Sequence, residues 1–185
     1  MKISTKQIAL AGLLLAVCIV SQFFKNISVF ITGPIINACL ILALFAVGMI
    51  PAIILCVITP VTAFLITGNP VMAAIPAMMP MIMIGNAVLV ICIYVIGYQT
   101  RGRMILGMAV GSIVKALVMG LTISAWLLPM YLPEAMQPKL SALQWNFSMV
   151  QLITALIGCV IAYYLWIPLK KVVADTSEEI NSLNA

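Results

Sequence analysis

Residues 38–58 read ACLILALFAVGMIPAIILCVI, a stretch without one charged, amide or hydroxyl side chain. A helix at a water surface keeps a polar face and a half-buried strand alternates, and this run does neither. Its outer solvent is therefore lipid. The rest of the chain agrees: of 185 residues, 65% are apolar and 7% charged, against about 45–50% and about 25% in soluble domains. A spanning helix takes about 20 apolar residues, so the length allows about six. A transmembrane barrel is the poorer choice, because its strands would alternate apolar and polar. The expected fold is an all-α integral membrane protein, a single-domain bundle of six transmembrane helices.

The turn signals place those helices at about 8–24, 35–48, 51–67, 76–97, 104–128 and 142–168, with a polar tail at 170–185. Gly and Pro punctuate them: Thr32-Gly33-Pro34 before the second, Pro51 opening the third, Thr67-Gly68-Asn69-Pro70 closing it. The first run follows Lys2 and Lys6 as a secretory leader would, but Val17 stands where a lipoprotein signal needs a small residue, so it reads as a helix. Pro60 and Pro80 are expected on interior faces, where neighbours satisfy the carbonyls they free. With six spans, Lys2, Lys6, Arg101, Arg103, Lys170 and Lys171 fall on one side, against Lys25 and Lys139 on the other. Basic loops stay inside, so both termini are expected in the cytoplasm. The same need for basic ends accounts for the net charge of +5, which points to no nucleic acid.

There is no histidine, and the acids Glu134, Asp175, Glu178 and Glu179 all lie outside the apolar runs. Metal-assisted, Ser-His and carboxylate chemistry inside the bundle has no residues to use. Neither has ion-coupled transport a carboxylate for the driving ion. Cys18, Cys39, Cys56, Cys92 and Cys159 lack metal-ligand spacing and read as small core residues, and the thirteen methionines as adaptable packing. No catalytic residue, metal or cofactor is expected.

Lys115 is the one charge within a span. Twelve residues beyond Arg103, it lies about 18 Å along its helix, near the middle of a core about 30 Å thick. A central lysine costs roughly 2.5–3.5 kcal/mol on insertion, so it belongs inside the bundle, against carbonyls, water or an anionic ligand. Gly107, Gly111 and Lys115 recur every four residues, a stripe that faces other helices. Gln144, Ser148 and Gln151 form a polar stripe on the last helix, with Asn146 nearby, and Asn86 stands alone on the fourth; each either lines a pocket or makes interhelical hydrogen bonds. Trp126, Tyr131 and Trp145 fall at one membrane interface and Trp166 at the other. Ala9, Gly12 and Ala16 make a small-residue face on the first helix that admits a close neighbour.

The basic start leading into Ala9, Gly12 and Ala16, then Gly33-Pro34 with Asn37, Gly48, Thr67-Gly68-Asn69-Pro70, and Pro76 to Pro80 leading to Gly85-Asn86 resemble the substrate-binding (S) components of energy-coupling factor (ECF) vitamin transporters. The first-helix pattern departs from the family's usual Ala-xxx-Ala by using Gly12. The resemblance implies a multi-pass subunit of a bacterial plasma membrane that captures a vitamin or related micronutrient from outside. Its partners would be a transmembrane coupling protein, met by Ala9, Gly12 and Ala16, and two cytoplasmic ATPases. Carried over by position, the pocket would use Asn86, Lys115, Gln144, Ser148 and Gln151, with Trp126, Tyr131 and Trp145 near the mouth. A buried cation beside aromatics favours a small carboxylate as cargo. Two other readings stay open on the residues alone: a structural or assembly subunit of another membrane complex, and a passive small-anion facilitator.

Overall fold

The computed structural model describes residues 5–24 and 28–183. Lys2 and Lys25, used in the topology argument, and the last two residues of the tail lie outside these. Among the described residues there is no strand: the chain runs α1 (Thr5–Gln22), α2 (Val29–Ala46), α3 (Met49–Thr67), α4 (Pro70–Ala74), α5 (Met78–Ile96), α6 (Arg101–Met119), a π-helical segment (Gly120–Leu127), α7 (Leu128–Tyr131), a 3-10 turn (Glu134–Lys139), α8 (Leu140–Phe147) and α9 (Met149–Leu183). Five stretches are long and apolar enough to cross a membrane: Val29–Ala46, Met49–Thr67, Met78–Ile96, Arg101–Tyr131 and Glu134–Lys170. The shorter apolar helix Gln7–Gln22 joins them. The chain is an all-α integral membrane protein.

Local chemistry explains the ends. Ser28 caps α2 by accepting from the Phe30 amide at 3.2 Å. Gly68, in the left-handed region at φ 55°, closes α3, and Asn69 Oδ1 then accepts from the amides of Val71 (2.9 Å) and Met72 (3.3 Å) to open α4. α2 starts earlier than the sequence spacing predicts, because Ser28 supplies the cap and Thr32-Gly33-Pro34 is helix rather than turn. Pro80 also differs from expectation: it is exposed in the first turn of α5, where a proline costs no helical bond and needs no neighbour, whereas Pro60 is buried as foreseen. Two further differences lie near the C-terminus. The helix expected from about 142 is two helices, broken at Ser148, whose Oγ turns back to donate to the Gln144 carbonyl at 2.7 Å. The polar tail is helical too, as α9 continues to Leu183 with Pro168 inside it.

α2 is the centre of the bundle and packs against α1, α3, α5 and α9. From Asn37 to Val47 it is buried on every side. Around it Leu40, Ile41, Leu44, Leu89, Val90 and Ile93 have no exposed surface. At the far end Phe45 stacks on Tyr98 and Trp166, with ring centroids 4.9 and 5.4 Å away. The helices approach closely where glycine allows it. A Cβ on Gly158 of α9 would lie 2.6 Å from Asn37 Cβ and 2.8 Å from the Pro34 carbonyl on α2. The Gly107 and Gly111 stripe meets α5 in the same manner, 3.1 Å from Ile93 Cα and 3.0 Å from the Leu89 carbonyl.

Candidate functional site

Four helices converge on a cavity of about 180 Å³, somewhat larger than the roughly 150 Å³ that accepts a benzene-sized guest. α2 contributes Thr32, Gly33 and Asn37, α3 Thr59 and Pro60, α5 Asn86, and α6 Lys115 and Met119. Leu143, Asn146 and Phe147 of α8 close over it, with Gln151 at the start of α9. The break at Ser148 makes this cover possible, because an unbroken helix would carry residues 140–147 along the axis of α9 instead of across the cavity.

At the floor, Lys115 is 2% exposed. Its Nζ donates to Asn37 Oδ1 at 2.5 Å and to Asn86 Oδ1 at 2.8 Å. One side chain thus ties α6 to α2 and α5 with no acid involved, and no carboxylate lines the cavity. An ammonium has three donors, and two are used here. Facing their oxygens to the lysine turns the two amide NH₂ groups away from it. The floor therefore presents a positive charge to whatever enters. Chemically it can bind an acceptor, a carboxylate best of all, and its lining holds no carboxylate and no imidazole. Among the described residues no three His, Cys, Asp or Glu are grouped to hold a metal.

The residues expected from sequence are not all in one place. Lys115, Asn86 and Gln151 line the cavity. Gln144 and Ser148 do not: Gln144 Nε2 donates to the Ser124 carbonyl and Ser124 Oγ to the Gln144 carbonyl, both at 2.9 Å, which pins α8 to the π-helical segment. Trp126, Tyr131 and Trp145 are 53%, 55% and 57% exposed and outside the lining. Asn37, Thr59 and Phe147 are site residues that sequence reasoning did not single out for binding. Asn37 did carry a signal, as the lone amide of an otherwise apolar helix. On α1, Ala9, Gly12 and Ala16 are exposed, and a Cβ on Gly12 would meet nothing within 4 Å.

A family model described as the ECF transporter substrate-specific component matches residues 6–170. Comparisons with curated proteins and with solved structures give no match. Members of the matched family are membrane-embedded transport subunits rather than enzymes, and they act with a membrane coupling protein, ATPases and a small-molecule substrate. With a match over nearly its whole length, a helical membrane fold and a cavity floored by a buried lysine, this chain belongs to the ECF transporter substrate-specific components.

Proposed function

We propose that the cavity above Lys115 captures, with high affinity, a vitamin or related micronutrient through a carboxylate or an equally strong acceptor. The observation that carries this reading is a buried ammonium held only by neutral amides. Two amide oxygens orient it without cancelling its charge, so an anionic guest would supply the missing compensation. The size of the cavity suits a single-ring molecule or the acidic end of a longer one.

Basic residues Arg101, Arg103 and Lys170 sit at the end of the bundle opposite the cavity. By the positive-inside rule that end is cytoplasmic, both termini with it, and the cavity opens outward. The exposed Ala9, Gly12 and Ala16 face, unused by the chain's own packing, suits a helix of the coupling protein, whose two ATPases would drive release. The apolar plug beneath Lys115 argues against a passive facilitator.

Calorimetric titration of the purified chain with a panel of vitamins tests the reading. We expect one carboxylate-bearing compound to bind at submicromolar concentration. Lys115→Met should weaken it at least tenfold, about 1.4 kcal/mol. A flat response to the panel would favour an assembly subunit, and an unchanged affinity in Lys115→Met would make the lysine purely structural.

A further inference from the structure

A second cavity lies on the outside of the bundle, away from the substrate site. It is a groove of about 350 Å³ between α6 and α9, walled by Ile105, Ala109, Leu156, Val160, Tyr163 and Tyr164. Ile105 is 51% exposed and Val160 56%, so the groove opens to the lipid. Its cause is local. The two helices touch through small side chains, Ser112 Oγ to Cys159 Sγ at 3.3 Å, and Ala109 leaves the next turn unfilled.

The charges at its end are matched. Arg101, Ile105 and Ala109 recur every four residues on α6, so Arg101 stands at the head of the groove's own wall. Counted from the Ser112–Cys159 contact, Arg101 is eleven residues back and Lys170 eleven residues on, and the helices run antiparallel. Both bases are thus about 16 Å from that contact, in the same direction. Half of a hydrocarbon core is about 15 Å. With the contact one turn from the mid-membrane Lys115, Arg101 and Lys170 lie at headgroup depth on either side of the groove. Arg103 points elsewhere, its Cδ beside the α5–α6 turn, 3.7 Å from where a Gly97 Cβ would stand. The nearest acid along α9, Asp175, comes five residues past Lys170.

We propose that this groove is a binding site for an anionic phospholipid, one acyl chain lying along Ile105, Ala109 and Val160 and the headgroup phosphate between Arg101 and Lys170. A zwitterionic lipid would fill the apolar part equally well. Discrimination rests on the two bases, each contributing about fivefold, the equivalent of about 1 kcal/mol.

The full chain, purified in detergent, is mixed with equal amounts of phosphatidylglycerol and phosphatidylcholine of identical chains, and retained lipid is read by native mass spectrometry. One phosphatidylglycerol should be retained in at least fivefold preference. The double variant R101Q/K170Q should lose the preference while still holding lipid, R103Q should keep it, and A109F should hold neither lipid. Helix content by circular dichroism confirms that each variant is folded. Equal retention of both lipids by the unaltered chain overturns the proposal, as does a preference that survives R101Q/K170Q or retention that survives A109F. A dimer that disappears in A109F, with no lipid held, would assign the groove to a second copy and overturn it too.

Discussion

α2 changes character at Asn37. Before it, Thr32, Gly33 and Asn37 itself line a cavity; after it, every residue from Ala38 to Val47 is buried, all of them apolar. α5 repeats the change at the same spacing, with Asn86 at the floor and Leu89, Val90 and Ile93 beneath, matching Leu40, Ile41 and Leu44. The buried polar side chains follow suit. Thr32, Asn37, Thr59, Asn86 and Lys115 belong to the cavity half, and Ser112, one turn below Lys115, is the last before the plug. A polar group buried in lipid is costly unless partnered, so polarity on one side only marks the half where it is used. A guest that reaches Lys115 meets close-packed leucine and isoleucine below it. Those side chains have no exposed surface, so the cavity ends at them.

The largest effect on this contrast should come from Gly158→Ala. Its Cβ would sit 2.6 Å from Asn37 Cβ and 2.8 Å from a backbone carbonyl, and overpacking of that kind costs about 1–3 kcal/mol. Because the residue pushed aside is Asn37, ligand affinity should fall together with the thermal midpoint of unfolding. Gly12→Ala, with nothing within 4 Å, should leave both unchanged. Equal stability of the two variants would mean that α2 and α9 are not locked at this point. Next comes Asn86→Asp, which sets a carboxylate at the 2.8 Å contact with Lys115 and closes the charge within the protein. An anionic ligand should bind at least tenfold more weakly, about 1.4 kcal/mol, while the thermal midpoint holds or rises. Undiminished anion binding would remove the ammonium as the anchor.

Much of the plug half and little of the cavity cover could be read from the sequence. Long apolar runs fix spans because lipid leaves no alternative, and a lone lysine among them must turn inward, as Lys115 does. The glycine stripe at 107 and 111 meets α5 because small residues at helical spacing have one common use. Asn37 is different: its partner is 78 positions away, and no local pattern links them. The break at Ser148 is hidden as well, since residues 142–168 read as one helix with a polar stripe, and the turn depends on Ser148 bonding back to Gln144. Trp126, Tyr131 and Trp145 are placed at the mouth by their depth. Depth is all a sequence gives there, since rotation about the helix axis follows from packing.

That rotation is testable at α8, where the smallest effect is expected. Trp145 and Phe147 are two residues apart, about 200° around the helix, and only Phe147 lines the cavity. Phe147→Ala should weaken the ligand about five- to tenfold, or about 1–1.4 kcal/mol, by uncovering its apolar part. Trp145→Phe and Trp126→Phe should each change affinity by less than about twofold, because a residue facing lipid keeps that surroundings whether the cavity is full or empty. Calorimetry on the three variants separates the two faces of α8. If Trp145→Phe weakened binding as much as Phe147→Ala, α8 would have to turn on its axis when the ligand enters, and the hydrogen bonds that tie Gln144 to Ser124 would have to break to let it.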